Sequence, residues 1–408
     1  MLKKQSYSLS GLGTKTNLTN ILLVANAFVW YYTVLAAMQE AVGRLSPAGS
    51  LTSIMVWAIH FSGLIFSALI GASLAKKIER TRLLMLWMIL GIISSMALFA
   101  LNSSSVFIIS LIGLLLSVSL GLGMPTCVSY YTDNIQVENR GRIGGVTLLA
   151  SGVGILAFGL ASIGDPLILG IVLAAWRSLS LVVFLSFRSK EKFEAKKNFV
   201  SYKLIISQHS FILYFVPWVM FSLVNYLTGP LQPNIDADTT VILNLIQTCF
   251  LGLFAVIGGF WLDSVGRKRI AIVGFALVGL GAAILGVAPT NPLSWYFNAM
   301  VNGTAWGFLL VLFILTIWSD LSYSLSSDKY YALGAMPFFV SKFLELNLGA
   351  EIGANVPATA LFSFTAFFLF LAILPLIYAP ETLPEKHIRD MELKTYLEKA
   401  RKIKEKHA

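Results

Sequence analysis

Charged residues are scarce in this sequence. Asp, Glu, Lys and Arg together make up 12% of its 408 residues, while hydrophobic residues make up 57%. Soluble proteins usually carry about 25% charged residues, so this composition argues against an ordinary soluble domain. The mean hydropathy of +0.77 instead places the chain in the membrane class.

Cysteine is rare, and the usual signatures of catalysis are missing. The two cysteines, Cys127 and Cys249, both lie within apolar runs, so the sequence indicates no disulfide framework. It contains no phosphate-binding P-loop, no HExxH helix and no Cys/His cluster, and no nucleophile elbow. Direct use of ATP, metal catalysis and an intramembrane enzyme therefore find no support. We expect no cofactor, no metal site and no enzyme activity.

Long apolar runs make up most of the chain. A transmembrane helix needs about 20 predominantly apolar residues, and twelve runs of roughly this length follow one another. They cover residues 18–42, 51–75, 83–101, 106–131, 143–163, 167–187, 210–229, 240–262, 270–288, 293–318, 331–348 and 356–379. We therefore predict an all-α membrane protein with twelve transmembrane helices.

The basic residues alternate with these runs. The formal net charge of +10 could suggest binding to nucleic acid, but the placement of the charges argues otherwise. If the N-terminus is cytoplasmic, all but three of the 30 Lys and Arg residues fall in inner loops and tails; the exceptions are Arg44, Arg177 and Lys342. The positive-inside rule then predicts a multi-pass protein of the plasma membrane, with both termini cytoplasmic and no nucleic-acid partner.

A charged stretch divides the spans into two sets of six. We predict a first six-helix bundle at residues 1–187, a cytoplasmic linker at 188–208, a second bundle at 209–379 and a cytoplasmic tail at 380–408. Two landmarks recur after nearly equal intervals, since Gly71 is matched by Gly259 and Asp133 is matched by Asp320. A near-constant interval indicates a duplicated six-helix unit.

One short loop resembles a family signature. Residues 259–269 read Gly-Phe-Trp-Leu-Asp-Ser-Val-Gly-Arg-Lys-Arg between two apolar runs. In this polar hairpin Gly259 permits close helix packing and Gly266 permits a turn. The spacing G-x-x-x-D-x-x-G-R-K resembles the signature loop of the major facilitator superfamily of membrane transporters. More loosely, the acid and Arg-Gly-Arg of residues 133–142 and the Pro-Glu-Thr of residues 380–382 resemble its sugar-porter branch.

The resemblance implies a fold of two pseudo-symmetric six-helix bundles with a solute path between them. It also implies that the first, fourth, seventh and tenth helices line the cavity, with contributions from the second, fifth, eighth and eleventh. The sequence departs from the family in the first-half copy of the loop, where Ala75 takes the place of the acid and Ile78 that of the second glycine. In the family this acid latches the halves together in the outward-facing state. The fifth span also lacks the Gly-Pro pair of the drug–proton antiporters.

Charged residues at the inner helix ends are predicted to form a gate. Ion pairs at these positions can break and re-form as the two halves rock, which gives two discrete arrangements. The predicted gating residues are Asp133, Arg140, Arg142, Asp263, Gly266, Arg267, Lys268 and Asp320.

Amide and aromatic side chains on the cavity-lining helices are the candidates for solute binding. Asn298, Asn302 and Trp306 are spaced by four residues and form one stripe on the tenth span, which would be costly against lipid. Such groups suit a polyhydroxylated or mixed polar and apolar solute; hydrogen bonding between helices is the alternative. The predicted substrate-binding residues are Asn26, Trp30, Tyr31, Asn225, Tyr226, Asn244, Gln247, Asn298, Asn302 and Trp306.

Four ionisable residues fall inside the predicted spans, where a charge costs about 2.5–3.5 kcal/mol on insertion scales. Lys342 and Glu345 share a helix face; they either line the cavity, with Glu345 carrying a coupled proton, or form a structural pair. Arg177 could hold an anionic substrate or pair within the first half. His60 could relay protons or be a hydrogen-bonded structural residue. These four are the predicted proton-coupling or charged-cavity residues.

We therefore expect a secondary active transporter that moves a small polar organic solute, a sugar or an organic acid, by alternating access, with proton symport as an option. An exporter of drugs or metabolites with the same fold and a transporter-like nutrient sensor are the alternatives. The expected partners are the solute, H⁺ and the lipid bilayer, and the expected state is a monomer.

Overall fold

The computed structural model describes residues 15–187, 200–228, 237–323 and 325–384, and every regular element in these ranges is a helix. The first half contains α1 (Lys15–Leu45), α2 (Leu51–Leu74), α3 (Arg80–Met96), α4 (Val106–Gly121), α5 (Met124–Asp133), α6 (Arg140–Ala161) and α7 (Pro166–Phe187). After the short α8 (Tyr202–Ile206), the second half contains α9 (His209–Thr228), α10 (Ala237–Ser264), α11 (Arg267–Val287), α12 (Pro292–Leu310), α13 (Ile317–Ser322), α14 (Asp328–Asn355), α15 (Ala358–Leu371) and α16 (Ile373–Tyr378). Much of the predicted linker and the predicted tail beyond residue 384 lie outside the described residues.

Ten helical segments of the described part are long and apolar enough to cross a membrane. Some are composite: α4 and α5 together run from Val106 to Asp133, and α12 continues through a π-helical turn, Val311–Thr316, into α13. The helices α9 and α14 occupy the places of the predicted seventh and eleventh spans. The prediction of an all-α, multi-pass membrane protein is confirmed.

Helix packing repeats between the two halves. In the first half α1 packs on α6, α2 on α4 and α3 on α7; in the second half α9 packs on α14, α10 on α12 and α11 on α15. Counted as spans, these are the first with the fifth, the second with the fourth and the third with the sixth, repeated six spans later. The halves are therefore pseudo-symmetric six-helix bundles, as the repeated landmarks predicted.

The most extensive contacts between the halves are those of α6 with α10 and of α2 with α14. The first contact depends on glycine, because the two backbones touch. A Cβ added to Gly141 would collide with the carbonyl oxygen of Gly259, and one added to Gly145 would collide with that of Ala255. Membrane helices that pack without a hydrophobic driving force use small residues in this way.

The backbone contact between α6 and α10 lies toward one end of the molecule. This end carries the basic loops and helix starts at residues 76–82, 140–142 and 267–269, and we call it the basic end. Gly152 and Gly159 lie one and two heptads after Gly145, on nearly the same face of α6. Open space, with no atom of α10, surrounds both of them.

The second contact between the halves, α2 with α14, reaches toward the opposite end. The rings of Phe61 and Phe343 lie 6.3 Å apart, and Ser53 donates a hydrogen bond to Oδ1 of Asn347 at 3.3 Å. This contact is aromatic and neutral, in contrast to the charged basic end.

A proline interrupts α14 partway along its length. Pro337 has no backbone N–H, so the helix loses one internal hydrogen bond there. Beside it, Trp218 of α9 donates to the carbonyl of Gly334 at 2.8 Å, and the ring of Trp318 fills the space that a Gly334 side chain would need.

The glycine contact gives a test with a matched control on the same helix. Gly145→Ala places a methyl group against the α10 backbone, so we expect it to lower the free energy of unfolding by about 1–3 kcal/mol. Gly152→Ala meets no atom within 4 Å and replaces a helix-interior glycine, so it should be neutral or stabilise by up to about 1 kcal/mol. Thermal unfolding in detergent measures both. Equal melting temperatures for the two variants would contradict the close contact.

Candidate functional site

Asp263 lies in the last turn of α10 at the basic end, and its carboxylate binds backbone N–H groups of the other half. Its Oδ1 accepts the N–H of Gly141 at 2.9 Å, and its Oδ2 accepts the N–H of Arg142 at 2.8 Å. Both N–H groups belong to the first turn of α6, where a helix has no internal acceptors for them and where its dipole favours an anion. The carboxylate therefore joins the two halves.

Arg267, the first residue of α11, balances this carboxylate. Its Nη1 lies 2.7 Å from Oδ1 of Asp263, and its Nε lies 3.0 Å from Oδ2 of Asp320. Arg140 of the first half reaches the other oxygen of Asp320 at 2.6 Å. The side chains of Asp263, Arg267 and Asp320 are fully buried, and buried charges are tolerated when they are paired and hydrogen-bonded.

Five of the predicted gating residues thus form one charged group, which we call the Asp263 cluster. Arg142 is its outermost member, with Nε 3.7 Å from Asp263 and a side chain that is 21% exposed. The cluster consists of Asp263, Arg267, Asp320, Arg140 and Arg142. It contains carboxylates from the second half and arginines from both halves, so it can exist only while the halves touch at this end.

The segment after the last span caps the start of α11. Gly266 has φ of +115°, a conformation that side-chain-bearing residues rarely adopt, and α11 begins at the next residue. The carboxylate of Glu381 accepts the N–H groups of Arg267 at 2.8 Å and Lys268 at 3.1 Å. The Nζ of Lys268 donates to the carbonyl of Ile377 at 2.6 Å. These contacts fix the hairpin that presents Arg267.

A second charged group lies at the basic end, and we call it the Arg80 cluster. Arg80 at the start of α3 contacts Asp133 at the end of α5 and Asp328 at the start of α14, in each case at 2.6 Å. Ser326 donates to the same oxygen of Asp328, and Ser129 and Ser327 share a hydrogen bond of 2.7 Å across the halves. Asp133, which was predicted as a gating residue, therefore belongs to this cluster.

The short helix α8 contacts both halves beside the Arg80 cluster. The hydroxyl of Tyr202 donates to the carbonyl of Leu69 in α2 at 2.6 Å, and Nζ of Lys329 in α14 lies 4.7 Å from the centre of its ring. Burial raises the pKa of Tyr202 above its ordinary value, so the hydroxyl keeps its proton and remains a donor.

The Lys342–Glu345 pair lies on α14 near the aromatic contact between the halves. Nζ of Lys342 is 2.9 Å from both carboxylate oxygens of Glu345, and the two side chains are 19% and 22% exposed. Phe343 between them faces Phe61 of α2, and Tyr32 of α1 lies within electrostatic range of Glu345. Both readings, a cavity pair and a structural pair, are compatible with this position.

Tyr31 and His60 are buried residues of the first half with one unpaired polar atom each. The ring of Tyr31 lies 6.3 Å from that of Phe339 in α14, and its hydroxyl has no partner within the described residues. The Nδ1 of His60 lies 2.9 Å from the carbonyl of Gly113, while its Nε2 has no described partner. Tyr31 thus faces the second half, and His60 contacts α4.

Arg177 lies in the interior of the first half, among aromatic rings. Its Nη1 donates to Oδ1 of Asn26 at 3.1 Å, and its guanidinium lies 4.3 Å from the ring centre of Trp87 and 5.5 Å from that of Trp30. No carboxylate pairs with it among the described residues. The π faces of two indoles therefore take the place of an anion.

Asn26 and Trp30 of α1 form hydrogen bonds with α7 and α3, two helices of the same half. The side-chain amide of Asn26 donates to the carbonyl of Trp176 at 2.7 Å and accepts from Arg177. The indole N–H of Trp30 donates to Ser95 of α3 at 2.7 Å. Of the three candidates on α1, Tyr31 is the one that contacts the second half.

The α12 stripe faces several neighbours. Oδ1 of Asn298 lies against Gly281 of α11, the half-buried Asn302 has an Oδ1 with no described partner, and the ring of Trp306 lies 4.8 Å from Phe221 of α9. On α10, Asn244 is exposed and Gln247 is half-buried. The remaining two candidates, Asn225 and Tyr226, have side chains that lie outside the described residues.

Sequence reasoning missed Arg80, Asp328 and Glu381 as members of the charged groups. The internal repeat was a usable signal, because Arg80 and Arg267 are separated by the same interval as Asp133 and Asp320. Asp328 gave no such signal, since it contacts Arg80 from a position 248 residues away. Within the described ranges, no group of three or more His, Cys, Asp or Glu side chains is placed to hold a metal ion.

Solved structures with the same architecture are known. A proton:xylose symporter of the major facilitator superfamily, XylE, bound to 6-bromo-6-deoxy-D-glucose, superposes with a TM-score of 0.67 at 16% identity, over 92% of this chain and 98% of that one. A double-tryptophan mutant of the same symporter gives a TM-score of 0.70 at 14% identity over the same shares. No family model matches the sequence, and no curated protein sequence matches it. On the architecture of its two bundles, the chain has the major facilitator fold.

Proposed function

We propose that this protein is a secondary active transporter that moves a small polar organic solute, a sugar or an organic acid, across the membrane by alternating access. It is a carrier rather than an enzyme. It acts as a monomer in the plasma membrane, and its partners are the solute, H⁺ and the surrounding lipid.

One observation carries this proposal: the ion pairs that join the halves lie at one end. Within the described part, the salt bridges that cross between the halves are Arg80–Asp328, Arg140–Asp320 and Arg142–Asp263, and all three are at the basic end. Toward the opposite end, Gly152 and Gly159 on the same face of α6 have no atom of α10 within 4 Å of a Cβ position. The charged contacts at one end can be broken and re-formed, and the opposite end of α6 has open space beside it. This arrangement suits a transporter that exposes its interior to each side of the membrane in turn.

The distribution of charge supports an orientation. Basic residues concentrate on the cytoplasmic side of membrane proteins, and Glu381, which follows the last span, also lies at the basic end. With this end inward, the arrangement of α6 and α10 corresponds to a transporter that is closed toward the cytoplasm. The Asp263 and Arg80 clusters are then the cytoplasmic gate, and Gly266 and Lys268 support it by fixing the hairpin that carries Arg267.

The solute site is proposed around Tyr31 and Asn302. Tyr31 faces α14, and Asn302 has a buried amide oxygen without a described partner. Amide, hydroxyl and aromatic groups together suit a solute with several hydroxyl groups, since rings stack on its apolar face and amides bind its edge. The likeness to a xylose symporter supports a sugar over an organic acid.

Binding and gating residues should respond differently to mutation. Asn302→Ala removes an amide from the proposed solute site, so we expect the Kd for the transported solute to rise about tenfold, with expression and melting temperature unchanged. Asp263→Asn keeps the shape of the gate but removes its charge, so turnover should fall about tenfold or more while Kd changes less than threefold. Solute uptake and equilibrium binding on the same preparations measure both. If both variants lose affinity to the same degree, the separation of site from gate is wrong.

The interior ion pair gives a test of proton coupling. If Glu345 carries the coupled proton, Glu345→Gln should abolish the acceleration of uptake by an inward proton gradient in proteoliposomes, while exchange of labelled for unlabelled solute continues. The double variant Lys342→Gln/Glu345→Gln controls for the uncompensated lysine, because an unpaired charge in a dry site is itself costly. Glu40→Gln, at an exposed pair, should behave as wild type. A full response to the gradient in Glu345→Gln would leave the pair with a structural role.

A further inference from the structure

The two charged clusters occupy equivalent places in the two halves but distribute their charges differently. At the interval that separates Asp133 from Asp320, Arg80 corresponds to Arg267. At the interval that separates Gly71 from Gly259, which is longer by a single position, Ala75 corresponds to Asp263 and Asp328 to Arg140. Compared with the Asp263 cluster, the Arg80 cluster therefore keeps the same charge at two of the four positions. It has Ala75 in place of the acid Asp263, and the acid Asp328 in place of the base Arg140.

The geometry shows what the exchange achieves. In the Asp263 cluster a carboxylate at the end of α10 reaches across the interface to the N-terminus of α6. In the Arg80 cluster the end of α2 offers only Ala75, but Asp328 stands in the first turn of the partner helix, α14, itself. The two interface helices that begin at the basic end, α6 and α14, therefore each have a carboxylate at their N-terminus, where the helix dipole favours it. In one case the carboxylate comes from the opposite half, and in the other it belongs to the helix.

We propose that Asp328 and Arg80 form a latch of inverted polarity, which replaces the acid missing at position 75. The cross-half bond runs from Nη2 of Arg80 to Oδ2 of Asp328 at 2.6 Å, between side chains that are 10% and 0% exposed. Removing one partner of a buried pair leaves an uncompensated charge, and this makes such a contact decisive for the state that contains it. The inference uses the proposed function only in treating the contact as part of a gate.

The inverted latch differs from its twin in what opening costs. When the Asp263 cluster opens, its carboxylate leaves the helix N-terminus that holds it. When the Arg80 cluster opens, Arg80 keeps Asp133 in its own half at 2.6 Å, and Asp328 keeps the dipole of its own helix. Asp263 likewise keeps Arg267 of its own half at 2.7 Å, so the two latches differ in that opening takes Asp263, but not Asp328, away from a helix N-terminus.

Restoring the arrangement of the twin provides a sharp test. Asp328→Arg leaves two arginines with the single carboxylate of Asp133, without the second acid that Asp263 supplies in the twin, and should open the basic end. Ala75→Asp/Asp328→Arg rebuilds the charges of the twin, with an acid at the end of α2 and an arginine in the first turn of α14, and should close the end again. Spin labels at Lys77→Cys and Arg269→Cys, exposed positions in opposite halves, report the separation by pulsed electron resonance after Cys127 and Cys249 are replaced by serine.

We expect Asp328→Arg to raise the ratio of long to short distances about tenfold, and the double variant to return it to within about twofold of the parent. Glu79→Ala removes an exposed pair beside the cluster and should leave the distances unchanged. If Asp328→Arg does not fold, Asp328→Asn and Arg80→Gln remove the same bond and should each raise the ratio. Unchanged distances in all of these variants, or a double variant as open as Asp328→Arg, would overturn the inverted latch. The readout needs no solute, so a chain that transports nothing would still give a decisive answer.

Discussion

A carboxylate that belongs to one bundle but is held by the backbone of the other determines the closed end of this molecule. Asp263 is fully buried, so it has exchanged water for two N–H groups of α6 and the guanidinium of Arg267. These donors are positioned only when Gly141 and Gly259 bring the two helices into backbone contact. Close packing and charge pairing are thus one event, because neither is favourable without the other. A contact of this kind is either complete or absent, which suits the proposed gate.

The same helices that close the basic end also extend through the interior. The helix α14 begins at Asp328 in the Arg80 cluster, carries the Lys342–Glu345 pair, and reaches Asn347, which meets α2 near the opposite end. The helix α10 carries Asp263 in its last turn, and α6 begins where that carboxylate is bound. A change at either charged cluster therefore acts directly on a helix that borders the space between the bundles, and no separate relay is required.

Much of the architecture was predictable because the responsible signals are local. Apolar runs, basic loops and the loop at residues 259–269 are each read from a short stretch, and their repetition reveals the duplication. The direction in which a side chain points is not local. Asn26, Trp30 and Tyr31 lie within two turns of α1, yet the first two bind α7 and α3 while Tyr31 faces α14, and this depends on the rotation of a helix among its neighbours. Arg177 was predicted either to hold an anionic substrate or to pair within the first half. That two tryptophan rings flank its guanidinium could not be foreseen, because those rings come from helices far apart in sequence.

Pro337 bears on how the two ends of α14 can move. Asp328 and Lys342 are separated by about 21 Å of helix, and the proline interrupts the hydrogen-bond ladder between them. A continuous rod would swing its far end whenever its near end shifted. A helix that can bend at Pro337 behaves differently. The segment before the proline, with Asp328, can leave Arg80 while the segment after it, with Phe343, still contacts Phe61. In the proposed transport cycle, this bend lets the basic end open before the middle of α14 moves.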